Sequence, residues 1–224
     1  MTTILHEAYV MQPAFITTSK GYQITTELSF PKKWGLGTSS TLINNIAQWL
    51  EIDAFELLKT SFGGSGYDIA CAQNNNPIIY KLQKGKPKVE NVNFHPDYTD
   101  TLYFVYLNKK QNSKTAIANY QNNKATDLEK SIATINKITT EVLQAKTVTT
   151  FGHALEKHEA EMSSILETTT VKETFFPDFN GQVKSLGAWG GDFVMVVSEV
   201  NPKTYFSSKG FNTILTYDEM ILKQ

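Results

Sequence analysis

Apolar and polar residues alternate over residues 22–30. Tyr22, Ile24, Leu28 and Phe30 fall on one side, and Gln23, Thr25, Glu27 and Ser29 on the other. A period of two predicts a half-buried strand, ended by Pro31. After Gly35 and Gly37 the period changes: Leu42, Ile43, Ile46, Ala47 and Leu50 mark one face of a helix. Asp53 with Glu56 three positions on is a capping-box pattern, opening a short helix through Leu57 and Leu58.

Residues 78–82 and 88–94 read as two strands joined by a turn at Gly85. The polar break at 96–100 predicts a boundary between domains 1–98 and 99–224. Residues 102–107 are apolar on both faces, which predicts a central strand. Leu128, Ile132, Ile135, Ile138 and Val142 trace a long amphipathic helix, and another follows over about 151–166. The chain then returns to strands at 192–198 and 211–217, with a short helix between. Strands and helices segregated in this way predict an α+β architecture with two lobes.

The charge changes the picture more than the composition does. The 224 residues carry 21 positive and 22 negative charges, and every positive residue is lysine. Without arginine there is no bidentate fork for carboxylate or phosphate, so a bound anion must be held by lysine, backbone amides, hydroxyls or a metal. A net charge of −1 argues against a nucleic-acid binder. With no apolar run of 18 residues and no signal-peptide pattern, the chain is expected to be cytoplasmic and off the membrane. The single cysteine, Cys71, excludes an internal disulfide and a multi-cysteine zinc site.

Three glycine-bearing segments remain. Residues 31–40, Pro-Lys-Lys-Trp-Gly-Leu-Gly-Thr-Ser-Ser, join the expected strand to a helix. Glycines let backbone approach an anion, and the helix start offers free N–H groups and a positive dipole end. The competing reading is a glycine turn with a serine N-cap. Residues 62–70 place Asp68 after a three-glycine loop, where Ser65 or Asp68 could simply cap a helix. Residues 183–192 form a third glycine loop before an apolar strand, and ordinary hairpin-turn chemistry would explain it as well.

Together the three segments resemble those of the GHMP kinases, the kinases of galactose, homoserine, mevalonate and phosphomevalonate. Residues 31–40 resemble the family's Pro-led Gly-Leu-Gly-Ser-Ser motif. Residues 64–70 resemble the Gly-Ser-Gly-Phe-Asp-Val segment of phosphomevalonate kinases, and 184–192 the Lys-x-Ser-Gly-Ala-Gly-Gly-Gly-Asp motif. They occur in the family's order, and the Lys-Lys-aromatic lead-in and the trailing Asp192 tilt the resemblance toward the phosphomevalonate branch.

The resemblance implies a two-lobed fold: a ribosomal-protein-S5-domain-2-like first lobe, here incomplete, and a ferredoxin-like second lobe. It implies ATP and Mg2+ as cofactors, a mevalonate-like or phosphorylated small-molecule acceptor, and a place in the mevalonate route to isoprenoids. A homodimer fits the same family. Carried across, Gly35, Leu36, Gly37, Thr38, Ser39 and Ser40 would cradle the phosphates, with Ser39 on the metal. Asp68 would face the acceptor hydroxyl, and Lys33 would lie near the transferred phosphoryl group. Gly187, Ala188, Gly190 and Gly191 would close the third loop.

Departures are Thr38 for serine, and Leu186 and Trp189 where small residues are usual. Only about 30 residues precede Pro31, and none matches the family's first motif. The alternative reading is therefore a truncated, inactive nucleotide-binding remnant. Other candidates read as structural. His153 and His158 lie five apart on different helix faces, Glu156 and Glu159 as a solvated face, Cys71 as buried packing, and Ser113 as an N-cap.

Overall fold

The computed structural model describes residues 1–17, 21–110, 128–187 and 189–222. It divides into two compact units. Unit 1 comprises Met1–Lys32 and Leu36–Phe94, and unit 2 comprises Lys33–Gly35 and His95–Lys223. The Ser113 expectation lies outside the described residues.

Unit 1 is built on α1 (Thr2–Met11), α2 (Ala14–Thr17), α3 (Thr38–Leu50), α4 (Ala54–Ser61) and α5 (Tyr67–Ala72). The helical spacing places Ile43, Ile46, Ala47 and Leu50 of α3 in one core with Ile4 and Ala8 of α1, Leu57 and Leu58 of α4, and Ile69 of α5. Asp53 caps α4, its carboxylate accepting the backbone N–H groups of Phe55 and Glu56. Glu56 completes no capping box and pairs with Lys59 at 3.5 Å. Strands β1 (Ile78–Gln83) and β2 (Lys86–Asn91) form an antiparallel hairpin in which Gln83 faces Lys86. Its two-residue turn has Lys84 at φ 51° and Gly85 at φ 76°, as right-handed strand twist favours.

Residues 22–30 are not a strand. Alternation qualifies a segment for a sheet, but a strand exists only where a neighbour supplies a hydrogen-bonded ladder. The partner of β1 is β2, and no described strand lies beside 22–30. Tyr22, Ile24 and Leu28 accordingly stay 40–49% exposed. The segment is tied at one end, where the Tyr22 ring stacks edge-on against Trp49 and its hydroxyl donates to the Phe15 carbonyl.

Unit 2 centres on an antiparallel sheet of β3 (Leu102–Tyr106), β4 (Gln182–Ser185), β5 (Phe193–Val197) and β6 (Ile214–Thr216), in the order β4-β5-β3-β6. Its helices are α6 (Leu128–Gln144), α7 (Val148–Leu166), α8 (Val171–Phe175), α9 (Lys203–Ser208) and α10 (Tyr217–Met220). The strand–helix–strand–strand–helix–strand order is that of the expected ferredoxin-like lobe. β3, apolar on both faces, runs through the middle of the sheet as its sequence predicts.

One face carries Val183, Val194, Val196, Tyr103 and Val105 into a core with Phe176, Phe179 and Phe206. From the other face, Gln182 and Lys184 reach Glu156 and Glu159 of α7. In α6 only Ile138 is fully buried, while Leu128 and Ile132 stay exposed. The predicted stripe thus exists, but only part of it is covered. Among the described residues no helix is long and apolar enough to cross a membrane.

Candidate functional site

In unit 1, α3 and α5 start in the same way. Gly37 and Gly66 are their N-caps, both left-handed at φ 70° and 84°, and neither helix has a side-chain cap. The serine cap that a plain turn would use is therefore absent at α3. The Thr41 hydroxyl instead donates back to the Gly37 carbonyl at 3.1 Å. A Cβ built on Gly37 would meet nothing within 4 Å, so it is the left-handed backbone rather than crowding that calls for glycine here. Leu36, Gly37, Thr38 and Ser39 are half-buried, while Ser40 turns inward and is 8% exposed.

Asp68 is the second residue of α5 and is exposed. It caps nothing. The helix entry is secured by the Ser65 hydroxyl, which accepts the Tyr67 N–H, and by the Tyr80 hydroxyl, which donates to the Ser65 carbonyl. Gly66 has no room for a side chain, because a Cβ would lie 2.9 Å from the Phe55 ring. Cys71 is exposed rather than buried: Ile69 and Ala70 take the inward face of this short helix. Although the residue is exposed, partial desolvation of its sulfur raises the thiol pKa, a hydrogen bond with Tyr67 opposes the rise, and the Asp68 charge adds to it. It is thus no activated nucleophile.

In unit 2, residues 33–35 dock on the sheet. The Tyr106 hydroxyl donates to the Lys33 carbonyl at 2.9 Å, and the Trp34 ring stands edge-on to Phe193 with centroids 5.4 Å apart. The Lys33 side chain is exposed. Gly35 lies so close to Asp192 that a Cβ there would sit 2.1 Å from the carboxylate Oδ1. Asp192 is fixed by its own backbone, its N–H donating to the Lys109 carbonyl at 2.7 Å and its carbonyl accepting the Leu107 N–H at 2.8 Å.

The third glycine segment closes the β4–β5 hairpin, with Ser185 opposite Val194 and the Leu186 N–H donating to the Phe193 carbonyl. Gly187, Trp189, Gly190 and Asp192 all have positive φ, between 54° and 79°. Trp189 thus adopts the conformation a glycine would take, at a cost of order 1 kcal/mol or more. Gly190 is half-buried, Gly191 is buried, and Ala188 lies outside the described residues. Within unit 2 the structure therefore joins the first and third glycine segments through Gly35 and Asp192.

No protein-family model matches the chain, and no curated protein matches it in sequence. Solved structures do. Phosphomevalonate kinase of Streptococcus pneumoniae, in complex with phosphomevalonate and AMPPNP, matches with a TM-score of 0.69 at 14% identity, over 96% of this chain and 80% of that one. The Lin0012 protein of Listeria innocua matches with a TM-score of 0.64 at 16% identity, over 92% of this chain and 74% of that one. Mevalonate kinase of L. major, in complex with R-mevalonate, matches with a TM-score of 0.56 at 13% identity, over 83% of this chain and 66% of that one.

The fold is that of the mevalonate and phosphomevalonate kinases. Within this fold, one of the two glutamates read from the sequence as a solvated face is buried. Glu159 is 4% exposed and pairs with Lys184 at 3.1 Å. Its spacing of four from the buried Leu155 is the one signal the sequence offers, and it becomes decisive only once α7 packs on β4. Glu156 is exposed as expected and lies 3.6 Å from His153. Among the described residues no three His, Cys, Asp or Glu side chains cluster as a metal site.

His158 lies half-buried beside this pair. Burial pushes its imidazole down to about 4, and the Lys184 ammonium adds to the shift. Because the folded value lies below the ordinary one, the neutral ring's contribution is complete above about pH 6.5 and lost as pH falls through about 4. For a ring partly open to solvent this is worth about 1–2 kcal/mol. Denaturant midpoints at pH 7 and pH 4.5 should therefore differ less for His158→Gln than for the wild type. An equal loss in both would exclude the assignment.

Proposed function

We propose that the chain is an ATP-dependent phosphotransferase acting on a small-molecule acceptor of the mevalonate or phosphomevalonate class. One observation carries this reading: two helices start at left-handed glycines without side-chain caps, one followed by Thr38 and Ser39 and the other by an exposed Asp68. At α3 such a start leaves first-turn amides for an anion, which suits a chain with no arginine.

In this reading a phosphate group lies against the start of α3, and the Ser39 hydroxyl is the group that would hold Mg2+. When bound, the metal neutralises charge on the phosphate oxygens. In this reading the amides of residues 37–39 bind and orient the nucleotide. Lys33 supplies positive charge to the transferred group, and Asp68 accepts the proton of the acceptor hydroxyl. Gly187, Ala188, Gly190 and Gly191 shape the third loop.

Coupled measurement of ADP release, with ATP, Mg2+ and either mevalonate or phosphomevalonate, tests the reading. Acceptor-dependent release is the expected result. Trp189, bulky at a left-handed position in a glycine turn, favours one other reading, a nucleotide-binding protein without transfer. ATP binding without release from any acceptor would select it.

A further inference from the structure

Lys184 and Glu159 form a pair that packing alone does not call for. Their side chains are 13% and 5% exposed, 3.1 Å apart, between β4 and α7. Drawing two charges out of water costs about what their attraction returns, so an apolar pair of similar volume would join helix to strand as well or better. What the apolar pair could not do is grip a carbonyl. The Lys184 ammonium also donates to the Ser185 carbonyl at 2.6 Å. Ser185 is the last residue of β4, and the glycine turn starts directly after it.

That turn needs holding. Four of its described residues have positive φ, two of them the non-glycines Trp189 and Asp192. Such backbone persists only where its surroundings over-determine it. The Ser185 hydroxyl, 2% exposed, has no hydrogen-bond partner among the described residues, so it does not help to anchor the turn. At its far end the turn delivers Asp192 against Gly35.

We propose that Lys184 and Glu159 are positioning residues: α7 holds the ammonium through Glu159, the ammonium holds the Ser185 carbonyl, and this fixes the turn of residues 186–192 and the placement of Asp192 on Gly35. The proposal rests on the kinase reading only for what the turn then serves, which is nucleotide binding.

The test is the full chain carrying Glu159→Met with Lys184→Met. Its melting temperature should stay near that of the wild type. Amide exchange over residues 186–192 should rise about tenfold while β3 and β5 are unchanged. The KM for ATP should rise by a similar factor with little change in kcat. Glu159→Gln, which keeps the volume and weakens the grip, should move both readouts in the same direction by less. If the double variant does not fold, Glu159→Gln decides by the same two measurements. Wild-type exchange in the turn, in whichever variant is read, overturns the proposal. A wild-type chain that transfers no phosphoryl group would defeat the kinase reading alone, and the exchange measurement would still decide whether the pair positions the turn.

Discussion

Asp68→Ala will remove acceptor-dependent ADP release, lowering turnover by about 10²–10⁴-fold, the usual contribution of a positioned general base. The same change should leave the fold nearly untouched. Asp68 is exposed, it is not the N-cap of α5, and the backbone around it is secured by Ser65, Gly66 and Tyr80. Its one structural contribution is a negative charge in the first turn of a helix, worth about 0.3–1 kcal/mol. Turnover and thermal melting measured on the same preparation separate the two effects. Undiminished turnover would take Asp68 out of the chemistry. A collapse of the melting transition would instead assign it a structural role that its exposure does not suggest.

Gly35→Ala will destabilise unit 2 by about 2–4 kcal/mol. Two costs add: a side chain at φ 72° costs of order 1 kcal/mol, and forcing a methyl group into filled space costs about 1–3 kcal/mol. The space is filled by the Asp192 carboxylate, 2.1 Å from where the Cβ would stand. The backbone of Asp192 cannot retreat easily, since both its N–H and its carbonyl are bonded to the segment after β3. For a chain of this length the melting temperature should fall by roughly 5–12 °C. Asp192→Gly, which removes the carboxylate and suits φ 54°, should act as a suppressor and return all but about 1 kcal/mol of the loss. If the double variant melts no higher than Gly35→Ala alone, the carboxylate contact is not the source of the cost.

Much of the candidate site was legible as motif and little of it as geometry. The glycines at 35, 37, 66, 187 and 190 mark places where the chain needs positive φ, and each has it. A local backbone demand shows directly in residue type. Glu159 was misread because its meaning depends on Lys184, 25 positions away in sequence. Only the packing of α7 on β4 tells a buried acid from a solvated one. Cys71 was misread for the converse reason: a run of small apolar residues says that one face of α5 is buried, not which residues occupy it. Trp189 departs from the glycine expected by resemblance, yet its backbone keeps the glycine-like conformation.

The division follows the range of the forces involved. Helix spacing in α3, α4 and α7, the Asp53 cap and the two-residue turn at Gly85 all depend on residues within a few positions of one another. The sequence alone determined them. Residues 22–30 carry equally good local alternation, but a strand is a relation between two segments, and nothing within nine residues can state whether a partner lies alongside. The contact of Gly35 with Asp192 and the burial of Glu159 against Lys184 join positions 157 and 25 residues apart. Only the tertiary structure could decide them, because each exists only once segments that local chemistry leaves independent have been packed together.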